Sequence, residues 1–375
     1  MKVSIITYHR VYNYGAALQA YATEKIFEKL GYEAEIVDYI PPKVKRYGSY
    51  RQISYESKMF YSNPLKKFIV SIVKMPSYRK QRKVFDKFLD VQFKMSRPYY
   101  SIQELRDNPP EADLYCTGSD QVWNNIYSDG FDEAFFLPYA KVGKKFAFSA
   151  SFGRKDFTEE ERRQLLSYIK DYQAVSVREK SGLDIIKNLP IHLKEHTLDP
   201  TLVLEKREWE KLIKKDIAVE EGYILVYQLH GNSPAETYAN IIGKKQGKKV
   251  YRIITMMHQK SNGSNRITIP DVEMFLTLFA KADLVVTDSF HGTAFSINFN
   301  KNFVVTVPQR TGERIASILE LTKLSNRIAH SSTEALQISE ENIDFDRCEE
   351  ILALEREKAL SYIRDAIKLC NDDTM

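Results

Sequence analysis

The 375-residue sequence has little cysteine and no long apolar run. Its three cysteines, Cys116, Cys348 and Cys370, fit neither an even disulfide set nor a metal-binding spacing, so we expect a reduced, cytoplasmic protein with no metal. No apolar stretch reaches the ~18–20 residues that cross a bilayer, and the short N-terminal run is too brief for a signal-peptide core. These absences argue against a secreted disulfide scaffold and an integral membrane protein.

The composition is that of a globular protein. Apolar residues make up 43% of the chain, charged residues 28% and aromatic residues 12%. A single hydrophobic core rarely grows beyond roughly 250–300 residues, so a chain of this length is expected to form two domains.

Positive charge is concentrated in residues 41–100, which contain 15 Lys and Arg but only 3 Asp and Glu. A segment of this kind either forms a solvated helical face or binds something anionic. Its interspersed aromatic residues are compatible with a helical hairpin or with an interfacial contact to a membrane. The sequence contains no nucleic-acid recognition motif, so we expect no nucleic-acid partner.

Predicted strands and helices alternate along the chain, beginning with a strand at Val3–Thr7, a helix at Ala16–Leu30 and a strand at Glu35–Tyr39. The alternation stops at a charged stretch near residue 205 and then starts again. We therefore predict an α/β fold with two Rossmann-like domains. The predicted parts are residues 1–204 with a basic helical insertion at about 43–97, residues 205–335, and a helical segment 336–375 that packs back toward the N-terminal domain.

Ligands of open parallel sheets bind beyond the carboxyl ends of the strands, and several polar clusters fall at such places. The first is HRVYNYGAALQ (His9–Gln19), which joins the first strand to the first helix. Asn13, Tyr14 and Gly15 are candidates to line a pocket, because Gly15 permits close backbone approach and a helix N-terminus attracts anions. The cluster is not a GxGxxG fingerprint, so no dinucleotide is indicated. Alternatively, Asn13 only caps the helix.

The second cluster, TGSDQVWN (Thr117–Asn124), directly follows a predicted strand. Ser119 and Asp120 lie in a turn that presents a carboxylate, and Gln121 and Trp123 are expected to line the pocket beside it. The alternative is an Asx-type turn with Trp123 in the core.

Two further clusters end predicted strands. SASFGR (Ser149–Arg154) contributes Ser151 as a pocket residue. In SVREKSG (Ser176–Gly182), Arg178 stands between a buried strand and a helix, where its planar guanidinium is suited to binding a phosphate or carboxylate. The alternative is a salt bridge between Arg178 and Glu179 or another acid.

The last cluster is TDSFHGTAFSIN (Thr287–Asn298). It places Asp288, Ser289 and His291 at a strand end and in the first turn of a helix, where Gly292 is expected to leave room for a ligand. A histidine between a carboxylate and a glycine is a stronger functional candidate than one elsewhere in the chain. Two arginines after the next strand are expected to reach the same crevice: Arg310 and Arg314.

Six of these motifs occur in an order that resembles the polysaccharide pyruvyl transferase family. They are NYGAALQAYA, TGSDQVWN, SASFG, SVREKSG, LDPTLV and TDSFHGTAFSINFNK. The resemblance runs from about Met1 to Arg327. It implies a two-domain fold similar to GT-B glycosyltransferases, with the active site in the cleft between the domains.

The resemblance also implies an activity and residue roles. Family members move the enolpyruvyl group of phosphoenolpyruvate onto a sugar to form a pyruvate ketal, as in bacterial surface polysaccharides. By position, His291 resembles the catalytic histidine and Arg178 the donor-binding arginine. Some relatives carry Arg-Leu before that histidine, where this chain has Ser289 and Phe290. Arg310 or Arg314 is expected to supply the missing charge, and the choice between them stays open.

The implied chemistry assigns further roles. Phosphoenolpyruvate is a co-substrate with two anionic groups, so its site needs several cations or amide donors, and no other cofactor is expected. We expect His291 to act as general acid or to hold the leaving phosphate, with Asp288 favouring the imidazolium form. Asp120 is the candidate acceptor of a hydroxyl proton.

Two other function classes stay open on the sequence alone. A GT-B glycosyltransferase that uses a sugar nucleotide shares the predicted fold, and fold does not fix function. The second alternative is a non-enzymatic module that binds glycan or lipid. The acceptor sugar is not determined, but the basic, aromatic segment favours a lipid-linked acceptor and contact with the inner face of a membrane.

Overall fold

The computed structural model describes residues 1–41, 64–125, 130–214, 219–308 and 312–372. In these ranges the strands are β1 Lys2–Ile6, β2 Glu33–Ile36, β3 Leu114–Thr117, β4 Lys145–Ala150, β5 Ala174–Val177, β6 Leu193–His196, β7 Ile224–Tyr227, β8 Val250–Ile254, β9 Asn265–Thr268, β10 Leu284–Thr287 and β11 Asn302–Val305. The helices are α1 Tyr14–Lys29, α2 Pro64–Gln92, α3 Ile102–Asp107, α4 Glu159–Ile169, α5 Lys180–Ile186, α6 Pro200–Val203, α7 Lys206–Glu210, α8 Ala235–Gln246, α9 Val272–Lys281, α10 Phe290–Asn298, α11 Glu313–Leu321, α12 Ser332–Glu340 and α13 Phe345–Asn371.

The strands form two parallel sheets in two compact units. Within the described ranges, unit 1 comprises residues 1–41, 89–204 and 353–372, and unit 2 comprises residues 64–88 and 205–352. The sheet of unit 1 has the order β2-β1-β3-β4-β5-β6, and that of unit 2 the order β11-β10-β7-β8-β9. Parallel neighbours joined by helical crossovers are the Rossmann-like arrangement that the sequence predicts.

Several helices in both units begin with side-chain caps that the sequence encodes. The Asn13 side chain accepts hydrogen bonds from the amides of Gly15 and Ala16 at the start of α1. Thr158 and Glu161 form a reciprocal capping box on α4, and the Asp271 side chain caps α9. Each cap satisfies amides that have no partner inside the helix, so these residues fix where the helices start.

Each sheet is buried under large apolar side chains. In unit 1, the indole of Trp123 stacks on Phe136, with ring centroids 5.8 Å apart, and meets Tyr172 edge-on at 5.9 Å. In unit 2, Phe295 packs edge-on against Trp209 with centroids 5.1 Å apart. Aromatic packing of this kind fixes the helices against the strands, and with them the loops at the strand ends.

The register of unit 2 determines which loops meet. Strand β10 pairs with β7 so that Thr287 lies beside Tyr227. The residues that follow these two strands therefore emerge next to each other at the carboxyl edge of the sheet, although they are about 60 positions apart in the chain.

The basic segment was predicted to be an insertion in the N-terminal domain, and this is wrong for its described helical part. Residues 42–63 lie outside the described residues, but residues 64–88 of α2 belong to unit 2. Polar side chains fasten the helix there: Ser77 Oγ accepts from the Met257 amide at 2.8 Å and Gln81 Nε2 donates to the Thr255 carbonyl at 2.9 Å.

The C-terminal helix α13 joins unit 1 over residues 353–372. Tyr362 Oη donates to the Ala147 carbonyl in β4 at 2.6 Å, and Arg356 Nε donates to the Leu202 carbonyl at 2.8 Å. The predicted segment boundary at residue 336 falls inside α12, which packs in unit 2 instead.

Candidate active site

The turn between β10 and α10 is built by two residues that the sequence singled out. Ser289 is the N-cap of α10, and its Oγ accepts a hydrogen bond from the Gly292 amide at 3.3 Å. A Cβ on Gly292 would collide with Thr287 Oγ1, so glycine lets the helix lie directly against the strand end. The expectation that Gly292 leaves room for a ligand is therefore wrong, because Thr287 fills that space.

His291 is the second residue of α10 and is 9% exposed. Its ring lies edge-on to that of Phe290, with centroids 5.1 Å apart. The guanidinium of Arg314, from the first turn of α11, lies 5.7 Å from the same Phe290 ring. An imidazole, an arginine and the positive end of a helix therefore lie close together at this edge of unit 2. Arg310 lies outside the described residues.

Asp288 is 1% exposed, and its carboxylate binds the loop that follows β7. Its carboxylate accepts hydrogen bonds from the amides of Leu229 and His230, at 2.7 and 3.0 Å, and lies 3.2 Å from Nδ1 of His230. We predicted that Asp288 would favour the imidazolium form of His291. The described hydrogen bonds of its carboxylate go to His230 and its loop instead.

His230 is the functional candidate that sequence reasoning missed. The sequence favours His291 over every histidine elsewhere in the chain, but strand β10 brings the Asp288 carboxylate beside His230 as well. An ionised carboxylate can only accept, so Nδ1 of His230 is the donor in its contact with Asp288. The side chain is 36% exposed. The available signal was its position just after a predicted strand, the same as that of the other clusters.

The loop that carries His230 is held in place by polar contacts. Gln228 Nε2 donates to the carbonyls of His230 and Ser233 at 2.8 and 3.1 Å, and Gln228 Oε1 accepts from the Glu236 amide at 3.2 Å. Ser233 Oγ shares a 2.9 Å hydrogen bond with Thr306 Oγ1 beyond β11. An imidazole held in this way is oriented before any ligand binds.

Arg178 in unit 1 is enclosed by acids, which is the alternative that the sequence left open. Its Nη1 donates to Asp199 Oδ2 at 2.7 Å, its Nε to Glu179 Oε1 at 3.3 Å, and its Nη2 lies 3.8 Å from Asp120 Oδ1. Burial alone would lower the pKa of Arg178, but the carboxylates of Glu179, Asp199 and Asp120 raise it above its usual value. The guanidinium stays charged, and its charge is offset within unit 1.

Asp120 adopts a left-handed backbone conformation, with φ of +73°, at the carboxyl end of β3. Its Oδ1 accepts from the Gln121 amide at 2.8 Å, and its carbonyl accepts from the Ser151 amide at 3.0 Å. Its side chain is 15% exposed. Strained backbone is often found at functional sites, and Nη2 of Arg178 lies 3.8 Å from Oδ1 of Asp120.

Other predicted pocket residues of unit 1 are placed inside the fold. Trp123 is fully buried and donates through its indole to the Phe135 carbonyl at 3.3 Å, so the core alternative is correct and its assignment to a pocket is wrong. Ser119 is also fully buried. Gln121 accepts from Asn124 at 2.7 Å, and a Cβ on Gly153 would collide with both side chains.

The remaining candidates of unit 1 have structural partners. Ser151 Oγ donates to Glu179 Oε1 at 2.9 Å and so belongs to the network around Arg178. Asn13 caps α1, as the alternative interpretation held, and Tyr14 and Gly15 are buried in the first turn of that helix. Tyr14 is 2% exposed, and its role as a pocket residue stays a prediction. No group of three potential metal ligands is found among the described residues.

Comparison with known proteins decides the family. The family model for polysaccharide pyruvyl transferase matches residues 13–309. The chain belongs to the polysaccharide pyruvyl transferase family. A sequence search of the curated proteins gives no match. Over the described residues, no helix is both long enough and apolar enough to cross a membrane.

Solved structures that resemble the chain share its fold. UDP-N-acetylglucosamine 2-epimerase from Rickettsia bellii is 12% identical with a TM-score of 0.53, covering 100% of this chain and 99% of its own. MnaA from S. aureus, solved with UDP, is 13% identical with a TM-score of 0.53, covering 98% and 97%. AviGT4, a glycosyltransferase of avilamycin A biosynthesis, is 10% identical with a TM-score of 0.51, covering 99% and 98%. The predicted GT-B-like α/β fold class is therefore confirmed, and at these identities the likeness shows the fold alone.

Proposed function

We propose that this member of the family transfers the enolpyruvyl group of phosphoenolpyruvate to a pair of sugar hydroxyls, forming a pyruvate ketal in bacterial surface polysaccharide biosynthesis. The observation that carries the proposal is the pair of histidines at the carboxyl ends of β7 and β10. His291 lies at a helix N-terminus, and His230 is backed by the Asp288 carboxylate at 3.2 Å. Family membership supports the reaction class.

The donor is proposed to bind at the N-terminus of α10. Phosphoenolpyruvate carries a phosphate and a carboxylate on three carbons, so its site must offset several negative charges. His291 is in the first turn of this nine-residue helix, and the Arg314 guanidinium lies 5.7 Å from the ring of the adjacent Phe290. Helix amides, an imidazolium and a guanidinium are donors that bind such anions.

The reaction has two proton requirements that the two histidines can divide. The methylene carbon must gain a proton, and the attacking sugar hydroxyl must lose one to form the first carbon–oxygen bond. Phosphate then leaves, and the second hydroxyl adds to the resulting cation and gives up its proton, which balances the phosphate product. We assign the acid role to His291. His230, with its Nδ1 held by Asp288, accepts the first hydroxyl proton.

Asp120 stays a second candidate for that proton acceptor. It is partly exposed at the carboxyl end of β3, and its Oδ1 lies 3.8 Å from Nη2 of Arg178. Replacing Asp120 by Asn removes the basic oxygen but keeps the size of the side chain. A loss of turnover at unchanged stability would assign the proton to Asp120, and a loss of stability alone would make that carboxylate structural.

The direct test is phosphate release from phosphoenolpyruvate with galactose-, mannose- and glucose-type acceptors, followed by identification of the ketal. We expect release that depends on one acceptor, with His291→Ala reducing turnover by about 10²–10⁴-fold. His330→Gln is the matched control, because His330 is an exposed histidine elsewhere in unit 2. Full turnover of His291→Ala would overturn its assignment.

Two outcomes would replace the proposal as a whole. A nucleoside-diphosphate sugar that raises the melting temperature, while phosphoenolpyruvate does not, would indicate a sugar-nucleotide enzyme. Stabilisation by glycan or lipid without phosphate release from any acceptor would indicate a binding module. A lipid-linked acceptor is the finer proposal, and it predicts higher turnover on an acceptor presented in vesicles than on the free sugar.

A further inference from the structure

The N-terminal half of α2 presents apolar side chains to solvent. Phe68, Ile69, Ile72 and Val73 are each about half exposed, at 51, 52, 54 and 49%. Their spacing of one, three and four residues places them on one side of the helix, two turns deep. Single exposed apolar residues are ordinary, but a contiguous group of four large ones on one helix face marks a surface that another body covers.

The same side of the helix becomes basic in its next turns. Arg79 and Lys83 follow Ile72 by seven and eleven residues, so the three point in nearly the same direction, and both basic residues are exposed. We call these six residues, Phe68, Ile69, Ile72, Val73, Arg79 and Lys83, the α2 stripe. From Pro64 to Phe85 the helix has seven Lys and Arg and no Asp or Glu. The first acid, Asp86, follows the last residue of the stripe by three positions and lies 3.7 Å from Arg82.

The opposite side of α2 is fastened to unit 2, which holds the stripe outward. Ser71, Ser77 and Gln81 are buried, and Gln81 Nε2 donates to the Thr255 carbonyl at 2.9 Å. The buried aromatic residues Tyr78 and Phe85 also lie off the stripe. The sequence predicts a membrane contact for the basic segment as a whole. Among the described residues of that segment, the α2 stripe is the face that fits this contact.

We propose that the α2 stripe docks this protein onto an anionic lipid bilayer. An interfacial helix inserts its apolar side chains ~5–10 Å into the boundary between headgroups and acyl chains, while its basic side chains meet anionic headgroups. The stripe has both parts on one face, and the absence of acids over its length matches the negative charge of such a surface. The inference is independent of the transfer reaction, because it concerns binding alone.

The test is sedimentation of the full chain with vesicles of phosphatidylcholine alone and with 30% phosphatidylglycerol, at low and high salt. We expect binding only to the anionic vesicles, weakened by salt because the attraction between exposed charges is screened. Arg79→Gln with Lys83→Gln is expected to weaken vesicle binding about 30-fold, the effect of two basic residues at ~1 kcal/mol each. Ile69→Ser with Ile72→Ser is expected to abolish it.

Matched controls separate the stripe from general surface properties. Arg207→Gln with Lys211→Gln removes two exposed charges elsewhere, and Val142→Ser with Leu354→Ser removes two exposed apolar side chains. Neither pair should change vesicle binding. Equal binding to neutral vesicles, or equal loss in the control pairs, would overturn the proposal. So would a dimer that the Ile69 and Ile72 substitutions dissociate in the absence of vesicle binding, since the stripe would then contact a second copy.

Discussion

The carboxyl edges of the two sheets carry similar residue types but arrange them in opposite ways. In unit 1, Arg178 is buried among Asp120, Glu179 and Asp199, so one positive charge meets three negative ones. In unit 2, one carboxylate orients one imidazole, and a second imidazole and an arginine lie at a helix N-terminus. In unit 1, the positive charge of Arg178 is offset by the neighbouring carboxylates. In unit 2, the imidazoles and the arginine are groups that can transfer protons and attract an anion.

This difference teaches that a charged residue at a strand end is not by itself a binding residue. Arg178 directly follows the buried strand β5, and His291 lies in the first turn of the helix that follows the buried strand β10. The two side chains differ in the number of acids around them. An anionic ligand can pair with a positive group that has no acidic neighbours, but at Arg178 it would compete with three carboxylates for the same charge. The first two predictions below test that separation.

The largest expected effect is on turnover at the edge of unit 2. His230→Ala removes the imidazole and Asp288→Asn removes the charge that fixes its tautomer, so each should lower kcat by about 10²–10⁴-fold. The double variant should be no worse than the worse single one, because the two residues act as one unit. Steady-state kinetics on phosphate release measures this. Independent, multiplying losses would mean that Asp288 does not work through His230.

A large effect on stability is expected at the edge of unit 1. Arg178→Ala leaves the buried carboxylates of Glu179 and Asp199 uncompensated, which should cost about 3–5 kcal/mol of unfolding free energy. Chemical denaturation measures it, with His291→Ala as the variant whose stability should change little. If Arg178→Ala unfolds normally but no longer binds phosphoenolpyruvate, Arg178 is a donor ligand as the family resemblance implied, and the contrast between the two edges fails.

A smaller, pH-dependent effect is expected at Asp38, beside β2 in unit 1. Burial raises the pKa of Asp38, but hydrogen bonds and charges from His9 and Arg10 outweigh it and lower the pKa from 3.8 to about 2. Ionised Asp38 therefore stabilises the fold above pH ~4, and this contribution is lost as the pH falls through 2. Asp38→Asn should cost on the order of 2 kcal/mol at pH 7, and the cost should be nearly gone at about pH 1. Denaturation at several pH values measures it, and a cost independent of pH would contradict the charge argument.

Much of the fold was predictable because its signals are local. Alternating apolar strands and capped helices gave the two Rossmann-like halves, and the structure has both sheets parallel. Strands β6 and β9 were missed. Both are edge strands, and LKEH and NRIT are mostly half-exposed or exposed, so they lack the apolar run that identifies a buried strand.

The site was predictable only in part. The sequence was sufficient to place Ser289 and His291 at a strand end, but it did not show which of the candidate side chains are buried. Whether Trp123 faced a pocket or the core depended on Phe136 and Tyr172, which come from other parts of the chain. The sequence predicts open space at Gly292. In the structure the Thr287 side chain fills this space, and the spacing of residues in the sequence does not reveal that contact.

The sequence by itself determined the family, the alternation of strands and helices and the helix caps, because each depends on residues within a few positions of one another. Only the tertiary structure decided which side chains meet. Strand β10 lies beside β7, so Asp288 reaches His230, 58 residues away in the chain. The tertiary structure likewise decided that the positive charge of Arg178 is offset, because three acids from separate strand ends lie around its guanidinium. Contacts between distant segments depend on strand order and register, which local periodicity does not specify.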